Sequence, residues 1–213
     1  MNSLILLFGL SLSLLNPACA QRAARARSLL DRVYKTYRKQ RDVDMKFEYE
    51  LYNERANLRQ KSSGTLLVKG CKYALDFMGV EHRFDGKKHY TILPEDKEVN
   101  ISSAADDDHA LTPDKLLKSY RKGYALSWDV RQQVAGETVQ FIKLRPKHKS
   151  DIRYILIGIK VKSHTLYKVI NTDQKGGITT LTVTAYKTNQ GFSDERFGFD
   201  AQQYTDYLIN HLE

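Results

Sequence analysis

The side chains able to do chemistry are scattered along this 213-residue chain. Six histidines, His82, His89, His109, His148, His164 and His211, stand singly, and none has the H-E-x-x-H spacing that sets two imidazoles on one helix face for zinc. No serine lies in a G-x-S-x-G turn, which would expose a nucleophile, and no glycine-rich loop could cradle a phosphate. The acidic run Asp106-Asp107-Asp108-His109 would suit a hard cation only if its carboxylates alternated and a glycine followed. They do not alternate, so a solvated loop is expected. His89, beside Tyr90 on a strand, is expected to point to solvent, and Cys71 to behave as a buried small apolar residue. The reading is of a binding protein: no enzyme, no catalytic residue, no metal and no cofactor.

Large apolar side chains on strand faces are the abundant resource: Phe47, Tyr49, Tyr73, Phe77, Tyr90, Trp128, Phe141 and Tyr154. They describe either an ordinary packed core or a curved sheet with an open concave face that holds an apolar ligand. The elements that would position them follow from periodicity. Ala26, Leu29, Leu30, Val33 and Tyr37 recur at helical spacing. Val43, Met45, Phe47, Tyr49 and Leu51 then alternate with polar partners, as in a strand with one wet face. Similar runs end at Val68 and cover Tyr73–Phe77, Glu81–Phe84, Tyr90–Ile92, Val99–Ile101, Leu126–Val130, Val139–Leu144, Ile152–Val161, Leu166–Ile170 and Ile178–Tyr186, with Asp85-Gly86 as a hairpin turn. Leu111–Tyr124 interrupts the series with a helix signal. Thr112 can cap it, Pro113 fits its first turn, and Leu116, Leu117 and Tyr120 share a face. The tail, Tyr204–Leu212, reads as a short helix or a last strand. About eleven antiparallel strands at short spacing curl towards a barrel or half-barrel.

Residues 1–20 read as a signal peptide. Leu4–Leu15 is apolar but too short to span a bilayer, and Ala18-Cys19-Ala20 is a cleavage pattern. Cleavage would leave residues 21–213 as a single domain with Cys71 as its only thiol, hence without an intramolecular disulfide. The alternative, lipidation of Cys19, would tether the protein to a membrane. Net charge is +9, and eight basic residues between Arg22 and Arg41 against Asp31 alone supply +7 of it. That concentration in one segment argues against a nucleic-acid groove, which would spread basic and aromatic residues across the fold. It fits a solvated helix face, or one that meets anionic head groups or an acidic protein.

Several short motifs, in order along nearly the whole mature chain, resemble the periplasmic outer-membrane lipoprotein carrier protein family, LolA. They are Gly64-Thr65-Leu66-Leu67-Val68-Lys69, Asp85-Gly86-Lys87, Leu111-Thr112-Pro113 with Leu116-Leu117, Leu144-Arg145-Pro146 and Phe197-Gly198-Phe199. The resemblance implies a mainly β fold with an α lid: an incomplete antiparallel β-barrel covered by an N-terminal and a mid-chain helix. It implies a soluble, monomeric periplasmic chaperone that sequesters the acyl chains of lipoproteins and moves them from the inner to the outer membrane. Its partners would be acylated lipoproteins, an inner-membrane lipoprotein-releasing transporter and, where one exists, an outer-membrane acceptor; nucleic acid would not be among them. The alternatives are a membrane-anchored acceptor of the same fold and a lipid-sensing regulatory module. The acyl-chain cavity would be lined by Met45, Phe47, Tyr49, Leu66, Val68, Tyr73, Leu75, Phe77, Tyr90, Ile92 and Trp128, with Leu116, Leu117 and Tyr120 on the lid. One position departs from the family pattern. Where the family has Arg-Pro after the V-K pair, with the arginine helping to hold the lid closed, this chain has Gly70-Cys71, and Lys72 is the nearest replacement.

Overall fold

The computed structural model describes residues 17–103, 118, 120 and 123–212. Helix α1 (Pro17–Arg38) precedes eleven strands that follow the alternation of the sequence. They are β1 (Val43–Asn53), β2 (Leu58–Lys69), β3 (Lys72–Phe77), β4 (Val80–Phe84), β5 (Lys88–Leu93), β6 (Glu98–Ser103), β7 (Tyr124–Val134), β8 (Glu137–Pro146), β9 (Ile152–Lys160), β10 (Thr165–Asp173) and β11 (Ile178–Thr188). Two short 3-10 turns, Asp194–Phe197 and Ala201–Tyr204, lead to a final strand, β12 (Leu208–His211).

All twelve strands form one sheet in the order β12-β6-β5-β4-β3-β2-β1-β11-β10-β9-β8-β7. The sheet stays open, with β12 and β7 as its edges. The count expected from the sequence was about eleven, all antiparallel; the tail supplies the twelfth and pairs parallel to β6. The chain leaves β11, in the middle of the sheet, and passes β3 before reaching the edge at β6, a return that local periodicity does not encode. Of the expected mid-chain helix, Leu116 and Leu117 lie outside the described residues, as does the acidic run Asp106–His109.

Register shifts at Lys46/Phe47, Trp128/Arg131, Leu166/Lys168 and Thr172/Asp173 interrupt the ladders. Such bulges add local twist and bend the strand, and one face of the sheet forms the inner side of the core. There α1 packs. Ala26, Leu29, Leu30, Val33 and Tyr37, the stripe read from helical spacing, are all buried, and they join residues of β1–β4 and β7–β11 in one core.

Gly64 shows how closely the inner face is fitted. It lies opposite Phe47 in the β1–β2 ladder, and a Cβ there would stand 2.5 Å from Phe47 Cζ and 2.8 Å from the carbonyl oxygen of Asp76. The ring can rotate only into other core groups, and the carbonyl belongs to the neighbouring strand. Gly64→Ala is therefore expected to cost about 1–3 kcal/mol of stability by overpacking, measured by urea unfolding. A wild-type midpoint would show that the two strands separate without strain.

Candidate apolar site on the inner face

The strand registers fix which side chains share a face. Met45 pairs with Leu66 and Leu66 with Leu75; Val43 pairs with Val68 and Val68 with Tyr73; Gly64 pairs with Phe77. On the other wing Trp128 pairs with Ile142, Ile142 with Ile157 and Ile157 with Val169. These rows form a continuous apolar inner surface, deepest where Ile142, Leu144, Ile157 and Ile159 are fully buried under α1. Towards β3 it becomes half-buried and aromatic. Phe77 lies 5.5 Å from Phe47 and 5.1 Å, edge to face, from Tyr49, with Leu75 beside them. At the β7 margin the Arg25 guanidinium sits 4.9 Å over the Trp128 ring, a cation–π contact that ties α1 to the edge strand.

Nine of the eleven residues expected to line a cavity, from Met45 to Phe77 along the sequence together with Trp128, fall in this cluster. Tyr90 and Ile92 do not. They sit with Val99 and Ile101 in a second cluster, against Phe199, Tyr204, Tyr207 and Ile209. The β4–β5 register explains the correction: Phe84 pairs with His89, while Arg83 pairs with Tyr90 and Glu81 with Ile92. Because Phe84 belongs to the inner core, Tyr90 and Ile92 point outward. The sheet thus exchanges its apolar face at β4. Beyond it the inner side is polar: His82 Nδ1 lies 3.4 Å from Thr91 Oγ1, and Glu98 accepts from the side-chain amides of Asn100 (2.9 Å) and Asn210 (2.8 Å). His89, expected in solvent, instead stacks on Phe84 at 4.3 Å with its Nδ1 3.2 Å from Tyr73 Oη.

The outer apolar patch is closed by the C-terminal segment. Tyr90 stacks on Phe199 and Phe199 on Tyr204. Burial, together with the hydrogen bond donated to Asp85 (2.8 Å), pushes the Tyr90 hydroxyl up to about 12. Upstream, Asp194 accepts from Lys69 Nζ (2.6 Å) and Lys72 Nζ (2.8 Å), and these two hydrogen bonds hold its carboxyl down at about 2. Lys72 therefore clamps the outer segment. It neighbours Tyr73 in β3, so strand alternation turns it away from the inner face. Cys71, expected to be buried, is exposed, because Gly70 (φ 63°) and Cys71 form the turn between β2 and β3. Tyr120, expected on the lid, is fully buried in the inner cluster, and its hydroxyl donates to Asp31 Oδ1 at 2.7 Å. Asp31 is the one acid of α1. Nothing in the sequence pairs two residues so far apart.

Asp42, at the α1–β1 junction, carries the other firm join to the C-terminal segment. Its buried carboxylate accepts from the backbone N–H groups of Gln190 (2.6 Å) and Gly191 (2.9 Å). Burial alone would raise its pKa, but the backbone donors Gln190, Gly191 and Phe192 outweigh that and hold it below the usual carboxylate range. A depressed pKa contributes stability that is full above the unfolded value, about 3.9, and is lost as pH falls through the lower folded value. Asp42→Asn should cost about 1.5–3 kcal/mol at pH 7, as expected for hydrogen bonds to a charged group. That difference should shrink as wild type and variant are both taken below pH 4. Equal denaturant midpoints at pH 7 would refute it.

Among the described residues no group of three or more His, Cys, Asp or Glu side chains could hold a metal ion. No helix among them is long and apolar enough to cross a membrane. Residues 84–200 match the family model of the outer membrane lipoprotein carrier protein LolA. The chain belongs to the LolA family. The matched span runs from the end of β4 past β11 to include the turn Asp194–Phe197, and the elements before it complete the same sheet, since β1 pairs with both β2 and β11. No curated protein matches the chain. Among solved structures, an uncharacterized conserved protein of Thermus thermophilus is similar at 12% identity and a TM-score of 0.61, covering 88% of this chain and 99% of that one. A LolA superfamily protein from Nitrosomonas europaea (12% identity, TM-score 0.45, 83% and 98% covered) and the Mycobacterium tuberculosis lipoprotein LppX (14%, 0.48, 84% and 98%) are also similar. At such identities the likeness is one of fold. Within the LolA family fold, the apolar inner face under α1 is the candidate site.

Proposed function

We propose that this LolA family member is a periplasmic carrier that sequesters the acyl chains of lipoproteins on the inner face of its sheet and passes them from the inner to the outer membrane. The observation that carries the reading is the continuity of that face. A half-buried apolar margin at Tyr49, Leu75 and Phe77 runs without a polar break into the core beneath α1. Family membership, with its carrier description, supports the same reading. The physical need is plain. Burying a methylene is worth roughly 0.8 kcal/mol, so a chain of about sixteen carbons costs on the order of 12 kcal/mol to leave in water. A surface that offsets most of this, under a helix able to shift, permits both capture and release. No bond is made or broken, so the role is binding rather than catalysis. Removal of residues 1–20 as a signal peptide, leaving 21–213 as the working domain, belongs to the proposal.

The test is to purify the protein from its native envelope and identify what travels with it. Acylated lipoproteins are expected; an empty protein, or one holding only free lipid, would count against a lipoprotein carrier. Mass spectrometry of the mature N-terminus separates the alternative. Gln21 as first residue is expected, whereas a diacylated Cys19 would make the protein a membrane-anchored acceptor.

A further inference from the structure

The buried stripe of α1 is used in packing, which leaves its outer face strongly cationic. Arg25, Arg27, Arg32, Lys35 and Arg38 are all exposed. At about 100° between successive helix residues they occupy about 160° of arc, centred opposite the buried stripe. Along the axis they extend for about 20 Å. Net charge is +9 for the chain and +7 for residues 22–41, so 9 − 7 = +2 is left for all the rest. Between the cations lie Ala24, Ser28 and Asp31, which accepts from Tyr120, and α1 itself places no large apolar side chain at the centre of the face.

We infer that this face docks the protein on an anionic lipid bilayer. The lack of an apolar or aromatic anchor decides between the two partners that charge alone would allow. A protein partner of useful affinity is held by a few side chains, chiefly Trp, Tyr and Arg, buried together in desolvated pockets; the arginines here are spread over about 20 Å, with no aromatic or large apolar side chain of α1 between them to exclude water. A layer of anionic head groups asks only for clustered Lys and Arg near its surface and is fluid enough to meet any spacing of them. The placement also serves exchange. The cationic face is the outside of the helix that covers the apolar site, so docking brings that helix, and the acyl chains beneath it, to the membrane surface. This last point rests on the carrier reading, whereas docking itself does not.

The experiment uses the full purified protein without cargo. Its partition is measured on vesicles of equimolar phosphatidylglycerol and phosphatidylcholine, and on vesicles of phosphatidylcholine alone. The expected result is binding to the anionic vesicles only, at about 50 mM salt, and its loss by about 500 mM as the screening length falls to a few ångströms. Arg27→Gln/Arg32→Gln/Lys35→Gln should lower that partition on the order of 100-fold, at about fivefold for each cation removed. The control Lys147→Gln/Lys149→Gln/Arg153→Gln removes the same charge from exposed positions elsewhere and should lower it far less. Equal losses in the two triple variants would reduce the effect to net charge and overturn the inference. So would binding to neutral vesicles, salt-insensitive binding, no vesicle binding, or binding to polyglutamate in place of the anionic vesicles. The salt titration of the wild type stands even if a variant misfolds. Binding of a dipalmitoylated peptide, measured in parallel, should survive the α1 triple variant. Its absence from the wild type would sink the carrier reading while leaving the vesicle result intact.

Discussion

Phe77→Glu is expected to abolish acyl-chain binding while leaving the protein folded. Phe77 is half-buried, in ring contact with Phe47 and Tyr49 at the margin of the inner cluster. In the empty protein a carboxylate there can turn towards water, so the fold should lose only about 1–2 kcal/mol of packing. With an acyl chain laid over the same spot the charge would have to be desolvated, at a cost of several kcal/mol. Binding of a dipalmitoylated peptide should fall on the order of 100-fold or more, read by fluorescence titration beside a circular dichroism melt. The corrected topology supplies the comparison. Ile92→Ala removes a side chain from the outer cluster and should lower stability without weakening acyl binding in the protein that remains folded. If Phe77→Glu bound the peptide as wild type does, the site would lie elsewhere.

Leu30→Ala should give a large loss of stability. Leu30 is fully buried where α1 meets the sheet, among residues that line both wings. Truncating a buried leucine to alanine removes its transfer free energy and leaves a cavity, together about 2–5 kcal/mol. For a domain of this size that is a fall in melting temperature of about 4–20 °C. The position also tests the role of α1. If the helix can lift from the sheet to admit cargo, Leu30→Ala should ease that movement and speed exchange of a bound acyl peptide, while lowering the unfolding midpoint. A wild-type melt would mean that α1 contributes little to the folded state and that the core is closed by the sheet alone.

Sequence and structure divide their contributions along a physical line. Period-two alternation located eleven strands, because a strand half in water must alternate whatever its neighbours are. Helical spacing identified Ala26, Leu29, Leu30, Val33 and Tyr37 for the same reason, and all five are buried. Alternation says which residues share a face, however, and not which face is covered. Tyr90 and Ile92 have the same pattern as Tyr73 and Leu75, yet they face the other way. Their cover is Phe199, Tyr204 and Tyr207, more than a hundred residues distant in the chain. Cys71 departs from its expected burial because the turn at Gly70 outweighs the small apolar character of the thiol.

The sequence by itself determined eleven of the twelve strands, the amphipathic helix, the basic segment and the family, since each is a local pattern or an ordered set of local patterns. Only the tertiary structure decided that the apolar face changes side at β4, that Lys72 holds Asp194 on the outside, and that Tyr120 reaches Asp31. Each of these joins segments far apart in the chain, and such contacts depend on chain return and strand register, neither of which is written at any single position.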